Sequence, residues 1–531
     1  MLFSRRQFLA TPLASAAWPL LSRPARPDPL TLDATRLAKF VDPLPRPAVA
    51  VPVAPGRYRI TMRATACQLH RDLPPTTCWT YADRDLPGAL PGPTLETRSG
   101  SPFAVEWRNE LPARHFLPID HTLPGAGPGI PDVRAVVHMH GARVPSTSDG
   151  YPEDWYVPGH SKVYRYPNRQ PAAPLFYHDH AMGVNRLNVY AGLFGLMNIR
   201  DAVEDALALP GGEQEIPLVL CDRWLTPDAQ LYYPVSFIPG KPWVPEVFGN
   251  AMMVNGKLWP ECAVEPRAYR LRAVNVANSR FFNLSLSSAQ PLHLIATDQG
   301  LMPAPVALDT ILLAPAERAD LIADFSGHAG ENIVLMNGAM PLMRFRVSAG
   351  ASAPAYRPPE RLRPLRRIPA TAAVRTRPFT LNAYNDLAGN PVLMLIDGKY
   401  WRDPISESPV LGTVEIWSFI NLTGDTHPMH LHEVRFQILD RRAFDVDEYL
   451  ATQEAGDAQI RYLAPARPPG RDESGWKDTA RAYAGDVTRV IVPFDGYAGR
   501  YVWHCHLLEH ESNDMMRPYQ IVMEPTPAPG P

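Results

Sequence analysis

Four pairs of histidines, each pair separated by a single residue, constrain the fold of this chain more than any other feature. Side chains alternate between two faces along an extended strand, so both imidazoles of such a pair point to the same face. The pairs are His138 and His140, His178 and His180, His430 and His432, and His504 and His506. Eight imidazoles are enough for a cluster of several metal ions rather than one, and such a cluster requires distant strands to meet.

The last of these pairs encloses a cysteine. Cys505 lies between its two histidines and therefore faces the opposite side of the strand. His427 is an odd number of positions from His430, so it can turn to that opposite side as well. His510 and Met515 follow the strand closely enough to fold back toward Cys505. One thiolate, two imidazoles and a weak thioether are the ligands of a blue-copper electron-transfer site. The sequence predicts two different metal centres across one strand.

Zinc is the competing metal for a histidine-rich site. Structural zinc closes four positions, usually with two or more cysteines, whereas Cys505 is the only cysteine among these histidines. The other alternative is a strand that carries polar side chains but binds no metal. Four histidine pairs beside a Cys/His/Met set argue against it. Imidazole with a single thiolate and a distant thioether favours copper.

The spacings at all four ligand segments resemble those of the multicopper oxidases. Within that family the chain is most similar to bacterial spore-coat-type laccases and bilirubin oxidases. The resemblance extends over about residues 45–525, which is most of the chain. The stretches that carry it best are 254–257, 314–318, 475–479 and 499–518.

This resemblance implies four copper ions and a ligand set for each of them. His427, Cys505, His510 and Met515 would bind the type 1 copper. The type 2 copper would be bound by His138 and His430. The type 3 pair would be bound by His140, His178, His180, His432, His504 and His506.

Two carboxylates stand at positions that the family uses to supply protons to the cluster. They are Asp149, which follows the first histidine pair, and Glu511, which follows His510 directly. Asp149 precedes Gly150, so its alternative role is that of a turn former. The alternative for Glu511 is a hydrogen-bond acceptor that orients a metal ligand.

The composition and the frequent glycines and prolines predict an all-β chain. The 531 residues include 34 glycines and 60 prolines, and they show no long helical periodicity. Many short strands with frequent turn signals favour β-sandwiches or barrels. The resemblance implies three cupredoxin-like Greek-key domains, at 45–200, 212–348 and 376–525, with a linker at 349–375. One strand is predicted over 430–440.

The distribution of the histidines predicts how these segments are arranged. All of the expected ligands lie in the first and last segments. These two segments must therefore face each other with the cluster between them, while the middle segment spaces them.

The amino terminus, residues 1–27, resembles a twin-arginine export signal, in which a receptor recognises the arginine pair. Arg5 and Arg6 precede a modest apolar stretch that is too short and too broken by proline to span a bilayer permanently. A mildly basic disordered tail is the alternative. Export would involve the twin-arginine machinery and would favour a periplasmic or extracellular location. The cleavage site stays open.

Charge and cysteine content limit the remaining partners and cross-links. A formal net charge of −2 offers no basic face for nucleic acid, and a monomer is expected. Four cysteines remain besides Cys505, and they allow three disulfide pairings. These are Cys67, Cys78, Cys221 and Cys262, of which the first two form the most local option. Buried free thiols are the alternative.

The resemblance implies a laccase-like enzyme. It would couple one-electron oxidation of a small phenolic, aromatic amine or bilirubin-type substrate to four-electron reduction of dioxygen to water. One alternative is an oxidase of Cu(I) or Mn(II) in copper homeostasis, although the cluster of Met336, Met340 and Met343 is better explained by a packed core than by a methionine-rich insert. The other is a non-catalytic envelope protein, which would have lost ligands that this chain retains.

Overall fold

The computed structural model describes residues 30–84, 86–238 and 240–524. The predicted export signal at 1–27 lies outside these residues. Six β-sheets carry the fold of the described residues, and each sheet takes its strands from only one of the three predicted segments. The prediction of an all-β fold is confirmed, while the boundaries of the domains stay a prediction.

The first segment forms two four-stranded sheets and two short helices. Its strands are β1 (Arg57–Cys67), β2 (Thr76–Asp83), β3 (Gly92–Arg98), β4 (Phe103–Asn109), β5 (Val137–His140), β6 (Ser161–Tyr166), β7 (Ala173–Asp179) and β8 (Phe194–Arg200). The strand orders are β2-β1-β4-β6 and β3-β8-β7-β5. The helices are α1 (Asn185–Ala191) and α2 (Ala202–Asp205).

The middle segment forms an eight-stranded and a five-stranded sheet. Its strands are β9 (Glu215–Leu225), β10 (Leu231–Tyr232), β11 (Ala251–Val254), β12 (Lys257–Leu258), β13 (Glu261–Val264), β14 (Ala268–Asn275), β15 (Phe282–Leu286), β16 (Leu292–Thr297), β17 (Gly300–Leu308), β18 (Ile311–Leu313), β19 (Arg318–Asp324), β20 (Asn332–Asn337) and β21 (Met340–Val347). The larger sheet has the order β12-β11-β9-β14-β19-β16-β17, with β10 beside β9, and the smaller one β13-β21-β20-β15-β18.

The last segment forms a five-stranded and a four-stranded sheet. Its strands are β22 (Arg375–Asn385), β23 (Pro391–Ile396), β24 (Val414–Asn421), β25 (His427–Leu431), β26 (Gln437–Ala443), β27 (Thr479–Ala482), β28 (Asp486–Pro493), β29 (Gly499–Cys505) and β30 (Met516–Ile521). The orders are β23-β22-β24-β28-β26 and β27-β25-β29-β30. The helices are α3 (Val446–Glu454) and α4 (Leu508–Ser512). Short 3-10 turns lie at Ala34–Arg36, Ser146–Ser148, Gly212–Gln214, Ala370–Ala372 and Arg471–Glu473.

The single strand predicted over 430–440 is wrong. The ladder of β25 ends at Leu431, and β26 begins only at Gln437. Between them Glu433 has a φ of +70°, a left-handed conformation that a continuous strand does not accommodate. The chain therefore turns here and passes from the four-stranded sheet to the five-stranded one.

Aromatic side chains fill the space between the two sheets of the last segment. The ring of Trp503 on β29 lies 4.5 Å from that of Phe379 on β22 and 5.1 Å from that of Trp417 on β24. All three side chains are buried. A ring that buries about 200 Å² contributes about 5 kcal/mol to folding as an upper estimate. This packing holds β29, the strand that carries Cys505, rigidly in place.

Three further features of the described residues bear on the sequence predictions. Every helix in the described ranges is too short or too polar to cross a membrane. All five cysteines, including the local pair Cys67 and Cys78, are free thiols. Met343 is fully buried and Met336 and Met340 are half-buried, in keeping with a role of these methionines in the core.

Candidate metal centre

Strand register brings the histidine pairs side by side within each segment. The antiparallel strands β5 and β7 place His138 opposite His178, and β25 and β29 place His430 opposite His504. Because each pair has a two-residue spacing, the second histidine of each pair joins the same face. All eight imidazoles are buried. The two segments then meet with these faces together.

The meeting of the two faces produces three histidine groups whose ring nitrogens lie within 4.8 Å of one another. In one group the Nε2 atoms of His180 and His432 each lie 3.2 Å from Nε2 of His504. The groups are His138, His140 and His430; His140, His178 and His506; and His180, His432 and His504. Each group combines residues from the first and last segments. The structure thus brings together all eight histidines that the sequence pattern singled out.

Outside the group of His180, His432 and His504, the ring nitrogens that face this cluster lack hydrogen-bond partners among the described residues. His138 and His178 each point Nδ1 at a backbone carbonyl, at 2.7 and 2.9 Å, and leave a buried, unpaired Nε2. Leaving a buried polar atom unpaired costs about 1–3 kcal/mol. Anchoring one nitrogen while the other stays free is how proteins orient histidine ligands of metals. The donor set therefore fits metal ions between the rings.

The opposite face of β29 carries a second donor group. The Sγ atom of Cys505 lies 3.5 Å from Nδ1 of His427 and 3.8 Å from Nδ1 of His510. Met515 is fully buried, and its carbonyl accepts a hydrogen bond from the backbone N–H of Cys505 at 3.0 Å. The parity argument from the sequence matches this arrangement: His504 belongs to the histidine cluster and Cys505 to the separate group.

The protonation states of these groups suit metal binding. Burial lowers the pKa of His178 and His180 to about 3 and that of His504 to about 4. Their rings are therefore neutral at physiological pH, which is the form that binds a metal. Burial also raises the pKa of the Cys505 thiol well above its usual range. A bound cation reverses this preference, because a coordinating thiol is deprotonated outright.

Both predicted carboxylates lie against the histidine cluster. Asp149 places Oδ2 2.8 Å from Nδ1 of His432, and burial raises its pKa well above the usual range. Glu511 places Oε2 3.2 Å from Nδ1 of His504 and Oε1 3.5 Å from Nε2 of His180. Burial raises the pKa of Glu511 to about 7. Each of these carboxylates is thus positioned both to orient a ring and to exchange a proton.

The middle segment does more than space the other two. Its residues Tyr233, Asn278 and Ser279 donate hydrogen bonds of 2.7 to 2.8 Å to the carboxylate of Glu509, which precedes His510. Its Arg318 pairs with Asp478, which in turn contacts the histidine cluster. The sequence pattern did not identify these residues, because isolated polar residues carry no periodic signal and their contacts span 160 positions or more.

Acidic residues around the Cys505 group act on its thiol through their charge. After burial itself, the negative charges of Glu511, Asp425 and Glu246, in that order, raise the pKa of the Cys505 thiol further. Burial, with Asp425 and Glu509 nearby, raises the pKa of Glu246 to about 8. Glu246 is therefore largely protonated at neutral pH and becomes a carboxylate, which attracts cations, as the pH rises through about 8.

Comparisons with known proteins agree with this geometry. Two family models, both described as multicopper oxidase, match residues 378–524 and 132–204. A laccase of Bacillus subtilis (strain 168) is 44% identical over 517 residues, which cover 91% of this chain and 99% of the relative. A laccase of Haloferax volcanii is 35% identical over 567 residues, which cover 98% and 91%. The crystal structure of a multi-copper oxidase from Pediococcus acidilactici superposes with a TM-score of 0.76 at 25% identity, covering 93% of this chain and 95% of that one.

Proposed function

This chain belongs to the multicopper oxidase family, and we propose that the residues on the two faces of β29 bind its copper ions. The chain is a laccase-like copper oxidoreductase with dioxygen as the electron acceptor, built on the cupredoxin-like fold of that family. One observation carries the proposal: the Cys505 thiol with two imidazoles lies on one face, and eight buried imidazoles lie on the other.

The proposed type 1 ligands are His427, Cys505, His510 and Met515. The first three bring a sulfur and two ring nitrogens to within 3.8 Å of one another. The side chain of Thr423 contacts Nε2 of His427 at 2.7 Å, which leaves Nδ1 to face the sulfur. A buried thioether as the weak fourth ligand would complete a blue-copper donor set.

The proposed type 2 and type 3 ligands are the eight clustered histidines. His138 and His430 belong to one group and would bind the type 2 copper. The remaining six form the two other groups, one for each copper of the type 3 pair. They are His140, His178 and His506 for one copper, and His180, His432 and His504 for the other.

When bound, the four copper ions would take single electrons from a reducing substrate and pass four of them, with four protons, to dioxygen, which yields two waters. The chain itself joins the two sites by covalent bonds, because Cys505 is flanked directly by His504 and His506. Burial of every proposed ligand excludes bulk water from both sites. These residues therefore separate the site that meets the substrate from the site that reduces dioxygen.

Asp149 and Glu511 are the proposed proton donors to that reduction. Each carboxylate contacts clustered histidines, and burial raises the pKa of both groups, so they hold a proton more readily than an exposed carboxyl. Asn185 donates a hydrogen bond of 2.5 Å to Oε1 of Glu511, and its own Oδ1 accepts from Ser512 at 2.7 Å. This polar chain supports a proton path on the Glu511 side.

Oxidation of small phenolic, aromatic amine or bilirubin-type reductants is the activity that best suits a laccase-like chain. Copper-loaded protein should consume dioxygen with a phenol and with bilirubin, and a peroxide assay should find none released. Oxygen uptake that is accompanied by peroxide release, or no oxygen uptake with any such reductant, would contradict the proposal.

Oxidation of metal ions is a second candidate, and a specific observation favours it. Asp425 precedes His427 by two residues, and the Thr423 hydroxyl contacts both the Asp425 carbonyl at 3.3 Å and Nε2 of His427 at 2.7 Å; a carboxylate so placed attracts cations such as Mn(II). The same oxygen-uptake assay with Mn(II) and Cu(I) decides between the candidates. A cation that outperforms every phenol would make metal oxidation the main activity.

We also propose that the chain is exported by the twin-arginine route to the periplasm or cell exterior and acts there as a monomer. The support is the Arg5-Arg6 pair before a short apolar stretch, in residues outside the described ones. Replacing both arginines by lysine should retain the protein in the cytoplasm. Unchanged export of that variant would exclude this route.

A further inference from the structure

Asp478 lies where all three segments meet, and it contacts two of the clustered histidines. Its Oδ1 atom lies 3.1 Å from Nε2 of His140, which belongs to the first segment. Its backbone carbonyl lies 2.8 Å from Nδ1 of His430, which belongs to the last segment. Asp478 itself is fully buried. One residue therefore contacts a ring on each side of the junction between these segments.

The carboxylate of Asp478 is fixed in place by residues of the middle segment. Arg318 on β19 donates two hydrogen bonds to it, at 2.8 and 2.5 Å. Gln299 donates a third at 2.6 Å and also contacts the carbonyl of Gly141 at 2.9 Å. Paired donors from a planar guanidinium restrict both the position and the rotation of a carboxylate. The middle segment thereby determines where Asp478 can point.

These contacts select which nitrogen of each ring faces the cluster. A carboxylate accepts hydrogen bonds only, so Nε2 of His140 must carry the proton and Nδ1 is left free. A carbonyl likewise accepts only, so Nδ1 of His430 carries the proton and Nε2 is left free. These two free nitrogens, Nδ1 of His140 and Nε2 of His430, are both buried and have no hydrogen-bond partner in the described structure. The two rings thus present opposite nitrogens to the same space.

We propose that Asp478, clamped by Arg318 and Gln299, is a positioning residue that sets the tautomer and orientation of His140 and His430 in the histidine cluster. The middle segment, which supplies none of the proposed copper ligands, thereby controls the geometry of the cluster. This inference rests on the proposed copper sites. It assigns no proton transfer to Asp478, only the alignment of two rings.

The test is Asp478→Asn in the full-length, copper-loaded protein, measured by copper retention against a chelator and by the type 2 EPR signal. The amide removes the charge that Arg318 holds and can donate toward His140. Loss of a group that orients metal ligands typically weakens metal binding by about 10- to 100-fold. We expect a loss of that order at the cluster and an altered type 2 signal, with the type 1 absorption kept.

Glu473→Gln is the matched control. Glu473 is equally buried and accepts two hydrogen bonds from Arg441, at 2.7 and 2.6 Å, in the neighbouring part of the same ionic network. No clustered histidine contacts Glu473 among the described interactions. This variant therefore breaks a similar buried ion pair, yet it should keep its cluster copper and its type 2 signal.

Gln299→Met provides a milder variant should Asp478→Asn fail to fold. It removes one neutral donor and leaves the Arg318 pair intact, so a few-fold weaker retention of cluster copper is expected. Unchanged retention and EPR in the variants at 299 and 478, or equal losses in the Glu473 control, would overturn the inference. Wild-type protein that binds no copper at all would instead contradict the proposed function.

Discussion

Gly141 lies directly after His140, at the point where the clamp around Asp478 is most crowded. Its φ of +84° is a left-handed conformation, and a Cβ atom added here would lie 2.7 Å from Nη2 of Arg318 and from Oδ2 of Asp478. It would also lie 2.8 Å from Nε2 of Gln299. These atoms are hydrogen-bonded to one another, so none can move away without breaking the clamp. We expect Gly141→Ala to be strongly destabilising.

Two costs contribute to this expectation. A left-handed backbone costs an L-residue about 1–2 kcal/mol. Overpacking a tightly packed interior costs about 1–3 kcal/mol more. Together Gly141→Ala should lose about 2–5 kcal/mol, a large part of the roughly 5–15 kcal/mol that stabilises a typical domain. Gly100 provides the control, because its φ is +76° and nothing lies within 4 Å of its added Cβ. Gly100→Ala should carry the backbone cost alone.

Urea titration of the two copper-free variants, followed by tryptophan fluorescence, measures the difference. Where the denaturant dependence of the unfolding free energy is unchanged, the midpoint reports stability. Relative to the wild type, the midpoint of Gly141→Ala should fall about twice as far as that of Gly100→Ala, or further. Copper retention at the cluster should fall in Gly141→Ala only. Equal midpoints for the two variants, with full copper in both, would refute the argument that the clamp has no room for a methyl group.

Three further predictions concern the proposed sites. Met515→Leu should raise the type 1 reduction potential, because it removes a thioether that stabilises Cu(II). The fold should be preserved, since Met and Leu have similar volumes. An unchanged potential in a redox titration would mean that another group is the axial ligand. Asp149→Asn and Glu511→Gln should each slow oxygen consumption with every reductant by about 100-fold or more, while stopped-flow reduction of the type 1 site stays fast; full turnover with full copper would make both carboxylates structural. Because burial raises the pKa of Glu246 to about 8, its carboxyl gains negative charge as the pH rises through that value. The KM for a cationic reductant should therefore fall across this range in the wild type and stay level in Glu246→Gln; a parallel fall in both proteins would exclude a role for Glu246.

Strand parity explains why so much of the site was predictable. A two-residue spacing places both members of each histidine pair on one face, and the odd offsets of Cys505 and His427 place them on the other. The rule holds for side chains on extended strands and at their ends. It therefore predicted which residues group together, while the distribution of the histidines along the chain predicted that the first and last segments meet.

Strand parity could not predict residues that act through long-range contacts. Asp478 stands in a loop before β27, and its partner Arg318 is 160 positions away. Glu509 accepts a hydrogen bond from Tyr233, which is 276 positions earlier in the chain. The break at Glu433 was missed for a different reason, since its left-handed backbone is dictated by the turn between two sheets rather than by its own propensity. Tertiary packing determines all of these features.

The absorption spectrum and copper content of the wild type and of Cys505→Ser test the central claim most directly. The wild type should be blue with four copper ions per chain, since the charge transfer that gives the colour needs a thiolate bound to Cu(II). Cys505→Ser should lose the colour and the oxidase activity while the histidine cluster keeps its copper. A Cys505→Ser protein that remains blue, or a copper-loaded wild type without this absorption, would contradict the assignment of Cys505 and the account built on it.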